Sequence, residues 1–101
     1  SRFQEAQTIL ERAVRFSPGS IDAHNFLGTV RLHLGNFDAA IAEYRSSLSL
    51  DPNRADTHCH VGDAHRLRSQ SAAARDEYSK ALAIDPNFAP ARAGIELLGK
   101  Q

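Results

Sequence analysis

The chain contains no methionine and no tryptophan, and one cysteine among its 101 residues. With a single thiol, Cys59, it forms no internal disulfide, which favours a reducing compartment such as the cytoplasm without requiring one. Twelve basic and twelve acidic side chains give a formal net charge of zero, so no sequence-wide field favours nucleic acid or an anionic membrane. The sequence also lacks an apolar run of bilayer-spanning length and a secretory signal. We therefore expect no nucleic-acid partner and no membrane contact from this segment.

Few aromatic residues are present, at 7%, while the 42% hydrophobic and 24% charged fractions are ordinary for a small globular domain. This composition predicts a core of leucine, isoleucine, valine and small residues, which suits the packing of helix against helix. The chain begins at Ser1-Arg2-Phe3 already inside a helical pattern. Together with the absence of methionine, this predicts a piece of a longer protein, whose other activities would reside in other domains.

Three of the four prolines recur at a constant interval. Pro18, Pro52 and Pro86 are separated by 34 residues twice, and each follows a helix-like segment. Aligning residues 21–54 with residues 55–88 gives eleven identities in 34 positions. The identical pairs include Asp22 with Asp56, His24 with His58, Gly28 with Gly62, Ala39 with Ala73, Ala40 with Ala74, Glu43 with Glu77, Tyr44 with Tyr78, Leu48 with Leu82, and the two Asp-Pro-Asn triplets. A fixed period of this length is typical of stacked repeats.

Apolar residues at steps of three and four predict two helices in each repeat. In the first repeat the predicted helices span 21–34 (helix A) and 37–50 (helix B), and in the second they span about 54–68, with Asn53 as the N-cap, and about 72–84. Before them, residues 2–16 match a helix B that ends at Pro18, and after them Pro90 opens a last helix over 89–99. The predicted organisation is therefore a leading half repeat (1–20), two full repeats (21–54 and 55–88) and a closing helix (89–101).

The turn between helices differs between the repeats. The first has Gly35-Asn36-Phe37, in which glycine tolerates a left-handed backbone, whereas the second has Ser69-Gln70-Ser71. We expect the second turn to be less tightly packed.

A 34-residue helix-turn-helix unit with these residues resembles the tetratricopeptide repeat. The matching positions are Leu27-Gly28, Ala40, Tyr44 and Pro52 in the first repeat, and Val61-Gly62, Ala74, Tyr78, Ala81 and Pro86 in the second. The sequence departs from that family's pattern where His24 and His58 replace tryptophan, where Arg31 and His65 replace an aromatic residue, and where Ser47 replaces alanine. The resemblance implies an all-α fold, a right-handed superhelix or solenoid of stacked units, in which the two glycines let helix B approach helix A.

The resemblance also implies a non-catalytic scaffold for protein–protein interaction, with a partner peptide or helix bound in a groove lined by helix A residues. The candidate groove residues are Asn25, Phe26, Thr29 and His33 in the first repeat and Cys59, His60, Asp63 and Arg66 in the second. The alternative for each is a solvated face of an amphipathic helix. A second hypothesis is self-assembly into a homo-oligomer through the apolar faces of the terminal helices 2–16 and 89–99.

Two ligand classes of the resembling family are not supported. The clamp that grips the C-terminal carboxylate of chaperone tails uses lysine, arginine and asparagine, and at the matching positions this chain has Asn25, Thr29, His60, Pro90 and Gly94. The asparagine ladder of sugar-transferase superhelices would fall on Phe26 and His60. Neither set is complete.

Other chemistries receive less support than protein binding. Cys59, His60 and Asp63 could supply two metal ligands from one helix, but no second cysteine or histidine pair lies at a supporting spacing. His24 and His58 suggest a pH switch in which two stacked imidazoles resist joint protonation, yet partly buried, hydrogen-bonded histidines filling the tryptophan slot explain them more simply. No nucleophile elbow or phosphate-binding glycine loop is present, so we expect no enzyme activity and no cofactor.

Overall fold

The protein is described by a computed structural model over residues 1–100, and within that range it contains six α-helices and no strand. The helices are α1 (Arg2–Phe16), α2 (Ile21–His33), α3 (Phe37–Leu50), α4 (Ala55–Leu67), α5 (Ser71–Ile84) and α6 (Ala89–Leu98). Each lies within one residue of its predicted bounds. The all-α prediction is thereby confirmed, and Pro90 occupies the first turn of α6 as expected.

The helices form two compact units. The first runs from Ser1 to Pro52, and in it α2 packs against both α1 and α3. The second begins at Asn53, and in it α5 packs against α4 and α6, while α6 also packs against α4. Helix A and helix B of each repeat, α2 with α3 and α4 with α5, are therefore paired within one unit.

A glycine on helix A packs against a tyrosine ring on helix B in both units. A Cβ atom placed on Gly28 would lie 2.7 Å from the ring of Tyr44, and one on Gly62 would lie 2.7 Å from the ring of Tyr78. Both tyrosines are completely buried, as are Ala40 and Ala74 on the same helices. The prediction that glycine lets helix B approach helix A is confirmed, and the atoms that need the space belong to the tyrosine rings.

The α2–α3 turn and the α4–α5 turn adopt the same geometry. Gly35 has φ of 81°, and Ser69, at the equivalent position, has φ of 60°. In each turn the N–H of this residue donates to a carbonyl three residues earlier, Leu32 or Arg66, and the next N–H donates to a carbonyl five residues earlier. These bonds are those of a Schellman motif. Serine therefore holds the left-handed conformation that the first turn gives to glycine, and the hydrogen bonds of the second turn are complete.

We expect Ser69→Gly to raise the free energy of unfolding by about 0.5–1 kcal/mol. The substitution relieves a left-handed non-glycine residue, and this gain exceeds the opposing effect of the chain entropy that glycine adds to the unfolded state. Urea denaturation measures the change. The adjacent Gln70, at φ of −98°, supplies the control, since Gln70→Gly relieves no such strain. A Ser69→Gly variant no more stable than the parent would contradict the assigned strain.

Two local details differ from, or add to, the sequence prediction. The N-cap of α4 is Arg54, in extended backbone, rather than Asn53, so the predicted cap is wrong by one residue. The helix therefore starts without a side-chain cap.

Ser47, which replaces the family's alanine, is completely buried, and its hydroxyl has no hydrogen-bond partner among the described residues. Such a hydroxyl lowers stability relative to alanine.

Among residues 1–100, no helix combines the length and the apolar character needed to cross a lipid bilayer.

Candidate partner-binding surface

Phe26 is one of the exposed candidate side chains. It lies in the middle of α2 with 61% of its surface accessible, next to Leu27, which is buried in the core of the first unit. Two residues further along the helix, Gly28 faces the ring of Tyr44, so Phe26 projects from roughly the opposite side of α2. An exposed aromatic ring on a well-packed helix is a ready anchor for a partner side chain.

Two of the candidate side chains are buried. Asn25 is 8% exposed on α2. Cys59 is 2% exposed and belongs to the core of the second unit, together with Ala91 and Leu98 of α6. Desolvation, followed by the nearby negative charge of Asp63, raises the pKa of Cys59 to about 12. The thiol is therefore neutral and inaccessible, and Cys59 is not part of the exposed surface that the sequence predicted.

Three further candidates bind the hydroxyl groups of the helix B tyrosines. In the first unit, Thr29 Oγ1 lies 2.9 Å from the Tyr44 hydroxyl. In the second unit, the Tyr78 hydroxyl donates to Asp63 Oδ1 at 2.6 Å, and Arg66 Nε donates to the same hydroxyl at 3.1 Å. Burial and the hydrogen bond to Asp63 raise the pKa of Tyr78, so the hydroxyl keeps its proton. Thr29, Asp63 and Arg66 thus join helix A to helix B.

The last two candidates are histidines. The exposed ring of His33 stacks on Phe3 of α1, with ring centroids 4.8 Å apart and planes inclined by 12°. This contact closes the end of α2 against α1 within the first unit. His60 is half-buried on α4, four residues from Asp56. The hydrogen bond from Arg54, and the weaker influence of His60, hold the pKa of Asp56 below its usual value.

A histidine–glutamate pair joins helix A to helix B in both units and was not among the predicted contacts. His24 Nδ1 lies 2.8 Å from Glu43 Oε2, and His58 Nδ1 lies 3.0 Å from Glu77 Oε2. Both partners of the first pair recur 34 residues later as the second pair, and the partners are 19 residues apart in each repeat. That paired recurrence was a readable signal for the contact. The prediction that the histidines are partly buried and hydrogen-bonded is confirmed.

No group of three or more histidine, cysteine, aspartate and glutamate side chains is arranged to hold a metal ion within the part of the chain that the structure describes. Cys59, His60 and Asp63 do not converge on a common point there.

Comparison with known families decides what kind of repeat this is. A model of the tetratricopeptide repeat matches residues 1–55, more than half of the chain. The chain belongs to the tetratricopeptide repeat family. The matched residues include α1 and the helix pair α2–α3.

Solved structures share this helical-repeat fold. MamA superposes with a TM-score of 0.90 at 23% identity, over 97% of this chain and 57% of its own. YrrB, described as a TPR protein with an unusual peptide-binding site, gives 0.91 at 22% identity, over 93% and 48%. The first TPR of Spaghetti (RPAP3), bound to an HSP90 peptide, gives 0.91 at 15% identity, over 98% and 79%. The chain spans about half the length of MamA and YrrB.

A comparison with curated proteins gives no match to this chain.

Proposed function

We propose that this chain is a non-catalytic interaction module that binds a partner peptide or helix through the exposed side chains of its A helices. The observation that carries the proposal is Phe26, a large ring left 61% exposed in the middle of α2. The family and the two peptide-binding relatives described above support this class of function.

The chemistry of the surface favours a neutral partner with an apolar anchor over an acidic tail. At the positions that match a carboxylate clamp this chain has no lysine or arginine: the residues there are Asn25, Thr29, His60, Pro90 and Gly94, and Asn25 is buried. Arg66 is engaged by Tyr78 and lies 3.6 Å from Asp63, which neutralises its charge. A buried apolar contact at Phe26 is then the main source of affinity, and polar groups around it set orientation.

The sharpest test uses peptides selected for binding from a random displayed library, with affinities measured by titration calorimetry. We expect Phe26→Ala to weaken the selected peptides by about tenfold or more, as the loss of a central anchor does. Phe16→Ala is the matched control, because Phe16 is a phenylalanine that is 91% exposed at the end of α1. Asp63 and Arg66 are unsuitable for this test, because both form hydrogen bonds with the Tyr78 hydroxyl. Substituting either one would change the stability of the second unit as well as any peptide affinity.

Self-assembly is the second candidate, and α1 supports it. No residue of α1 is buried, and Ile9 and Phe16 are among its exposed apolar side chains. Light scattering over a range of concentrations separates the two functions. Dimers that Phe16→Ala abolishes and Phe26→Ala leaves intact would favour self-assembly. If the chain stays monomeric at high concentration and its affinity for the selected peptides depends on Phe26, peptide binding is supported.

A further inference from the structure

The ring of His24 is held between two hydrogen-bond acceptors. Nδ1 lies 2.8 Å from Glu43 Oε2 on α3, and Nε2 lies 2.7 Å from the carbonyl oxygen of Pro18, in the connector between α1 and α2. The carbonyl only accepts, and so does an ionised carboxylate. Because a neutral imidazole carries one N–H, both contacts are hydrogen bonds only when the ring carries two protons. The geometry therefore fits the imidazolium cation.

The charged groups around His24 come from each helix of the unit. Glu43 from α3 faces the ring directly. On α2 itself, Arg31 Nη1 donates to Glu43 Oε1 at 2.9 Å, and its Nη2 lies 3.7 Å from Glu11 Oε2 on α1. Two carboxylates are thus matched by one guanidinium and the imidazolium. This cluster is neutral when His24 is protonated and carries a net negative charge when it is not.

We propose that protonated His24 links the α1–α2 connector to α3 through two hydrogen bonds. The first unit is then more stable when the ring is charged and less stable when it is neutral. A neutral ring has one nitrogen whose lone pair faces an oxygen at less than 3 Å. That repulsion releases either Pro18 or Glu43. The device concerns the stability of the first unit and is independent of the proposed partner binding.

The direction of the pH effect follows from the surroundings of the ring. Burial lowers the pKa of His24, but the hydrogen bonds of Glu43 and Pro18 and the charge of Glu43 outweigh it and raise the pKa above 6.5. A raised pKa in the folded state means that protons stabilise that state. The stabilisation is complete below pH of about 6.5 and is lost as pH rises through the pKa of the folded protein.

The direct test is NMR of the histidine ring nitrogens in the whole chain between pH 5 and 9. We expect both nitrogens of His24 to carry protons at pH 6.5. Glu43→Gln keeps an acceptor in place but removes the charge, so it is expected to lower the His24 midpoint by about one pH unit or more. The matched control is Glu77→Gln, which removes the equivalent carboxylate from the second unit and leaves the His24 midpoint unchanged.

Denaturation by urea across the same pH range supplies an independent readout. The unfolding equilibrium constant of the parent is expected to rise between pH 6.5 and the His24 midpoint by up to about tenfold per pH unit relative to His24→Phe, which fills the slot without titrating. If His24→Phe fails to fold, the titration midpoint of His24 in the Glu43→Gln variant tests the proposal by itself. A single protonated nitrogen at pH 6.5, or a midpoint that Glu43→Gln does not move, would overturn the proposal.

Discussion

Replacing Tyr78 with alanine is expected to lower the free energy of unfolding by about 3–5 kcal/mol, the usual effect of removing a buried aromatic ring. The ring is completely buried and lies close to two glycines, Gly62 of α4 and Gly94 of α6. Neither glycine has a side chain that could collapse into the cavity. Since small domains are stable by about 5–15 kcal/mol, this loss is expected to unfold the second unit at moderate temperature.

Thermal and urea denaturation, followed by circular dichroism, measure this effect. Tyr78→Phe is the graded control: it keeps the ring but removes the hydroxyl bonds to Asp63 and Arg66, and we expect a loss of about 1–2 kcal/mol. Leu97→Ala, on an α6 side chain that is 44% exposed, controls for truncation at the surface. If Tyr78→Ala cost no more than Leu97→Ala, the ring would not be the centre of this core.

The helices and their pairing could be predicted from the sequence because their determinants are local and repeated. Apolar spacing and the proline period fix each helix to within one residue, and the recurrence of Gly28 and Tyr44 as Gly62 and Tyr78 marks the helix contact. The turn at Ser69 was harder. Serine gives little sign of a positive φ, and only the equivalence to Gly35 could have indicated it.

The exposure of the candidate surface could not be predicted in the same way. A 3.6-residue period identifies the side of α4 away from α5, but it does not show that α6 covers part of that side. Cys59 is buried in the same core cluster as Ala91 and Leu98 of α6. Likewise Asp63 and Arg66 read as solvated groups, whereas the structure joins them to a tyrosine from the next helix. Whether a polar side chain faces solvent or a buried hydroxyl depends on tertiary packing.

Placing valine at Gly94 is expected to destabilise the second unit by about 3 kcal/mol, at the upper end of the usual cost of overpacking. A Cβ atom at this position would lie 2.4 Å from Tyr78 Cζ and within 2.7 Å of two further ring atoms. The ring has little room to move, because it also lies close to Gly62, where a Cβ atom would be 2.7 Å from it. Valine's modest gain in helix propensity over glycine is smaller than this clash.

The adjacent Ala93 provides the matched control, since it is exposed on the same helix and Ala93→Val adds the same side chain without a clash. We expect that variant to lose only about 0.5 kcal/mol, the difference in helix propensity. The decisive measurement is a double-mutant cycle in urea with Tyr78→Leu, which removes the ring. If the clash with Tyr78 is the cause, Gly94→Val costs much less in the Tyr78→Leu background. If the losses in unfolding free energy of Gly94→Val and Tyr78→Leu are instead additive, the cost of Gly94→Val arises within α6. Contact with the Tyr78 ring would then not explain why residue 94 is glycine.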